Sequence, residues 1–134
     1  MNNIEHPVNA PSDLQSAFKD AILTLKEQLI PYHESKSISW DHIRIELWED
    51  TGRFIIFPAS TKPEYRIDLA VYEIKCSYIE QEVVLLDKSN LSDDDYDTKI
   101  LNLINEMAQV ANKAFSTSAL PFQIFDQDGQ PQSN

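Results

Sequence analysis

The chain has 134 residues, 42% of them hydrophobic, with 22 acidic against 11 basic residues and a formal net charge of −11. That length holds one hydrophobic core but does not divide comfortably into two, and the apolar fraction lies well above that of a disordered chain. The negative charge repels nucleic-acid phosphates and anionic membrane surfaces over a Debye length of about 8–10 Å, which disfavours direct DNA or RNA binding and favours encounter with a basic protein.

The longest apolar runs, Phe54 to Phe57 and Val83 to Leu86, fall far short of the roughly twenty residues that span a bilayer, so no membrane helix is predicted. Residues 1–11 hold two prolines and two adjacent asparagines and read as a mobile lead-in without the basic start and apolar stretch of a secretory signal. Ser12 with Gln15 three residues on has capping-box spacing, and Leu14, Phe18, Ala21, Ile22, Leu25 and Leu29 recur as one helical stripe. Pro31 supplies the stop, giving a helix over about 12–30.

From Ser39 the period becomes two. Ile43, Ile45 and Leu47 point one way, His42, Arg44, Glu46 and Trp48 the other, and Glu49-Asp50-Thr51-Gly52 turns the chain into a returning strand, Arg53 to Phe57, before Pro58. Tyr65 to Tyr72 alternates again through Ile67, Leu69 and Val71, after which the parity shifts to Ile74 and Cys76. Ile67, Val71, Ile74 and Tyr78 fit a helical stripe as well; the β-branched and aromatic content favours a strand. Glu82 to Asp87, "EVVLLD", reads as another short strand. Ser92 ahead of Asp93, Asp94 and Asp95 starts a second helix, with a stripe of Ile100, Leu103, Ile104, Met107, Val110, Ala111 and Ala114 ending near Phe115 before Ser116-Thr117-Ser118. Leu120 to Phe125 reads as the last strand, and Asp126-Gln127-Asp128-Gly129 as a turn opening a flexible tail over 127–134.

The sequence therefore predicts a single α+β domain over 12–126, with an antiparallel sheet of about four to five strands in the order α-β-β-β-β-α-β and both helices packed on it. No cofactor or metal is predicted. His6, His33 and His42 lack ligand spacing, Asp126-x-Asp128-Gly129 lacks the Glu that would complete a calcium loop, and two glycines cannot build a phosphate-cradling loop. A single Cys76 shows neither a disulfide partner nor metal-type spacing, which points to a reducing cytoplasm.

The remaining chemistry is carboxylates beside aromatics: Glu46, Trp48, Glu49 and Asp50 on the hairpin, Asp93, Asp94, Asp95 and Asp97 at a helix start, Asp126 and Asp128 near the end. A Trp ringed by acids suits a partner rich in Arg and Lys, the ring anchoring and the acids steering. Competing with this, Asp93 to Asp95 would serve only to start a helix, and Trp48 only to fill a core.

The strings "ISWDHIRIELWEDTGRFIIF" and "LPFQIFDQDG", with the helix 92–115, resemble small immunity proteins of bacterial polymorphic-toxin systems, the YezG-like group in particular. The resemblance covers about half of the chain. It implies a cytoplasmic, non-enzymatic protein that binds and neutralises a cognate toxin, often a nuclease, and it carries over no binding residues. A phage-encoded inhibitor of a nucleic-acid-handling enzyme shares the same features. A contrasting class is an enzyme or small-ligand carrier with a pocket lined by Trp40, Trp48, Tyr65, Tyr72 and Tyr78.

Overall fold

Residues 4–35, 39–61, 71–116 and 120–132 are described by the computed structural model. In chain order the elements are β1 (Ile4–Val8), α1 (Leu14–Thr24), α2 (Ile30–Glu34), β2 (His42–Trp48), β3 (Arg53–Ala59), β4 (Tyr72–Cys76), α3 (Ser77–Asp87), α4 (Asp93–Phe115), β5 (Phe122–Asp126) and β6 (Pro131–Gln132). Tyr65, Ile67, Leu69, Thr117 and Ser118, which carry parts of the sequence reading, lie outside the described residues.

The strands form one sheet in the order β1-β4-β3-β2-β5-β6. Helices and sheet combine as the α+β reading requires, but the sheet is mixed rather than antiparallel. β1 runs parallel to β4 and β2 parallel to β5, while β2–β3, β3–β4 and β5–β6 are antiparallel. Parallel neighbours need long crossovers, and the helices between these strands supply them. The strand count also exceeds expectation, because β1 arises from the stretch read as a lead-in and β6 from the stretch read as a tail.

Period-two alternation gives the sheet one apolar face. Ile45 lies opposite Ile56 and Leu47 opposite Phe54, and both rows continue into Tyr72 and Ile74 of β4. Ile43, Ile45, Leu47, Phe54, Ile56, Ile74 and Ile124 are all buried. On this face α1 and α4 lay their stripes. Phe18 meets Phe54 edge-on at 4.9 Å and Phe115 at 5.7 Å, so three aromatic rings from helix, strand and helix lock the layers together. The stripe read in α4 is the packed one, with Ile100, Ile104, Met107, Ala111 and Ala114 buried, and Ser92 Oγ caps it by accepting the Asp95 N–H at 3.2 Å.

Three local readings are overturned. Ser12 and Gln15 form no capping box: Pro11, with its preset φ, starts a 3-10 turn over Pro11–Asp13, and no side chain caps it. Pro31 does not stop the helix. A π turn over Leu25–Leu29 lets the Ile30 N–H reach the Leu25 carbonyl, and the wider turn accommodates a proline that has no N–H to offer, so helix continues to Glu34. Residues 82–87 are helix, not strand. Ile79 and Val83 are buried at a four-residue step while Val84 and Leu85 are 42% and 62% exposed, a one-sided pattern that only a helix produces. Pro58 lies within β3 rather than after it. It sits opposite Ile43, whose N–H points to Pro121, so the proline's missing donor faces away from β2 and beyond the last pair with β4.

Both outer strands carry proline where an outward N–H would stand. Ile4 N–H donates to Val71, which turns Ile4, His6 and Val8 inward, and Pro7 removes one of the two outward donors of β1. In β6, Gln130 exchanges with Asp126, so the next residue, Pro131, faces outward.

Candidate interaction surface

The parallel pairing of β2 with β5 places Leu47 opposite Asp126. Both strands therefore end at the same end of the sheet, and the turn after each lies beside the other. α4 runs back over the sheet towards the start of β5, which brings its first turns to that same end. Three acid clusters distant in sequence thus share one neighbourhood. Glu49 and Asp50 from the hairpin, Asp97 from α4, and Asp126 and Asp128 from the C-terminal turn line a single concavity of about 450 Å³ with Tyr96 and Ile100.

The electrostatics record this crowding. Burial pushes the Glu49 carboxyl above its ordinary pKa, and the charges of Asp126, Asp128 and Asp50 push it further. Among the described residues Glu49 Oε2 has no hydrogen-bond partner. Burial likewise raises Tyr96, assisted by the carboxylates of Asp87, Glu49 and Asp97. Asp126 is both wall and scaffold. Its Oδ1 accepts the N–H groups of Asp128 at 3.0 Å and Gln130 at 2.8 Å, and Gly129 closes the turn at φ +81°.

Not every acid singled out in the sequence belongs here. Glu46 and Trp48 lie on the sheet face opposite the helices. There Trp48 Nε1 donates to Glu46 Oε1 at 3.2 Å, and Glu46 Oε2 accepts from Arg44 Nε at 2.7 Å. The Arg44 guanidinium stands 3.9 Å over the Phe125 ring. Glu46 is thus neutralised within the protein, whereas Trp48 is 37% exposed and fills no core. Asp93, Asp94 and Asp95 are exposed in the first turn of α4 and do not line the concavity; they sit where the helix dipole favours anions. Tyr96 was missed by the sequence reading, although its position four residues before Ile100 on the apolar stripe was a usable signal.

No protein-family model matches this chain, and comparison with curated proteins and with solved structures finds no match.

The described residues place the other candidate groups as follows. Among the described residues no group of three or more His, Cys, Asp or Glu is placed to hold a metal ion. Cys76 is fully buried, and burial pushes its thiol up to about 12, so no thiolate forms near neutrality. Of the aromatic residues considered for a pocket, Tyr72 is buried under the helices with its OH on His6 Nδ1, Trp40 packs edge-on against His33 at 5.0 Å, and Trp48 is on the opposite face. These three do not converge; Tyr78 lies in the first turn of α3, and Tyr65 lies outside the described residues. No described helix is long and apolar enough to cross a membrane.

Proposed function

We propose that this protein is a binding protein whose acidic end engages a basic partner, and that it acts in the cytoplasm as an immunity-type inhibitor of a cationic, nuclease-like toxin. The observation that carries this reading is the gathering of Glu49, Asp50, Asp97, Asp126 and Asp128 around one concavity. Such crowding works against folding, and it adds to the burial that chiefly raises the Glu49 pKa. Lys or Arg side chains entering the concavity relieve the repulsion and satisfy the unpaired Glu49 oxygen, so the arrangement favours a cationic occupant more than it favours the free protein. Trp48, next to Glu49 in the chain but on the opposite sheet face and outside the concavity, offers a separate exposed aromatic of the kind that anchors protein interfaces. A small-ligand reading has less support, because the walls are carboxylates at a surface turn rather than convergent aromatics.

The test begins with the gene immediately upstream, whose product is the candidate partner. Co-production should restore growth to cells that the partner alone arrests, and the purified proteins should form a stoichiometric complex whose affinity falls steeply with salt. A partner that is not toxic, or that binds equally well after Glu49, Asp97 and Asp126 are neutralised together in a folded variant, would sink the proposal.

A further inference from the structure

A second surface lies towards the other end of α4. Lys19, Leu23 and Lys26 follow one another at one-turn spacing along α1 and its π-helical continuation, and Lys113 faces them from α4 across a groove of about 480 Å³ floored by Ile22 and Ala114. Leu23 is 54% exposed although it sits in the middle of this stripe. Three of the chain's 11 basic residues therefore rim one apolar groove on a molecule of net charge −11. One carboxylate, Asp20, also lines the groove; it lies 3.7 Å from His6 Nδ1. Lys113 is sixteen residues beyond Asp97, which at about 1.5 Å per residue puts these two charges about 24 Å apart along α4, more than two Debye lengths.

We infer that this groove is a docking site for a short acidic segment of a protein partner, one presenting Leu or a similar side chain towards Leu23 and Ile22 and carboxylates towards Lys19, Lys26 and Lys113. Charge complementarity selects this occupant. An exposed leucine between lysines one turn away on either side matches an amphipathic segment whose apolar residue is flanked by acids at the same spacing. A second copy of this chain is the poorer occupant, because two bodies of net charge −11 repel one another at long range, whereas a short segment brings few charges and meets mainly the local lysines.

The experiment uses the full chain and a synthetic, fluorescently labelled helical peptide with Leu and Glu at one-turn spacing, and as control the same peptide with every Glu replaced by Lys. Backbone amide shifts on addition of the Glu peptide should move around Lys19, Leu23, Lys26 and Lys113. Joint Lys19→Glu and Lys26→Glu should weaken binding by about tenfold or more, and Leu23→Ala by a smaller factor. These side chains are exposed, so circular dichroism should show the variants folded as the parent is. The inference is overturned if the Glu peptide does not bind, if its shifts map elsewhere, or if charge reversal leaves its affinity unchanged. Sedimentation of the parent alone showing a dimer that the charge reversal dissolves would assign the groove to a second copy, and that too overturns it.

Discussion

The backbone carbonyl of Gly52 accepts the N–H of Cys76 at 2.5 Å, which ties the turn of the central hairpin to the point where β4 gives way to α3. Gly52 holds φ +64°, and a Cβ there would stand 2.9 Å from the Glu80 nitrogen and closer still to the Cys76 carbonyl oxygen. Both obstacles are backbone and cannot rotate away. Gly52→Ala should therefore destabilise the fold by about 2 kcal/mol or more, a fall of roughly 8 °C in Tm for a chain of this size. A thermal melt within a degree of the parent would show that the turn is not held as described.

Trp48→Ala separates anchoring from folding. The indole is exposed and its one hydrogen bond goes to Glu46, so the variant should unfold within about 0.5 kcal/mol of the parent. Partner binding should instead weaken by about 2 kcal/mol or more if the ring is a central anchor, chiefly through faster dissociation. Neutralising Asp50 should slow association and flatten its salt dependence while leaving dissociation nearly unchanged. Surface plasmon resonance at two ionic strengths reads both effects.

Glu49→Gln should stabilise the free protein at pH 7 while weakening its complex. The sign follows from the raised folded-state pKa, since the charged form is disfavoured by burial and by Asp126, Asp128 and Asp50. In the parent this cost is absent below the ordinary glutamate value and appears as pH rises through the elevated one. The advantage of the variant should accordingly vanish on acidification below about pH 4.5. Urea titrations at both pH values check this.

His33 gives the opposite pH dependence. It is 1% exposed, neither ring nitrogen has a hydrogen-bond partner among the described residues, and its ring is flanked by Tyr32 and Trp40. Burial lowers its pKa, so the folded state binds a proton less readily than the unfolded chain. Its contribution is fully present above the unfolded value of about 6.5 and is lost as pH falls through the depressed folded one. His33→Leu should be about 1 kcal/mol more stable, from the loss of a buried unsatisfied group, and should lack the decline that the parent shows as pH falls below about 6.5. Equal declines in both proteins would assign the titration to another group.

The hairpin and α4 were legible because their information is local: alternation and a glycine for one, a cap and a stripe for the other. α3 was misread because four consecutive apolar residues, Val83 to Leu86, look like a buried strand, although only Val83 is fully buried. β1 was invisible for a different reason. "IEHPV" has no strong strand propensity and is ordered by pairing with β4, some seventy residues away. The acidic concavity was legible only in its parts. Each cluster could be marked in the sequence, but their meeting depends on the Leu47–Asp126 register, which no local pattern encodes.

Pro7 and Pro131 give the sheet edges a meaning for how this protein can change. Many sheet proteins recognise extended peptides, or polymerise, by lending edge donors to another backbone, and that mode is indifferent to side-chain identity. Here an outward donor is missing from each outer strand, so the partner recognition proposed above would fall to exposed side chains such as Trp48, Asp50, Asp97 and Asp128. Those positions can be exchanged without disturbing the Phe18–Phe54–Phe115 centre of the core. A scaffold built this way would let the proposed binding surface follow a changing partner by substitution, with its architecture kept.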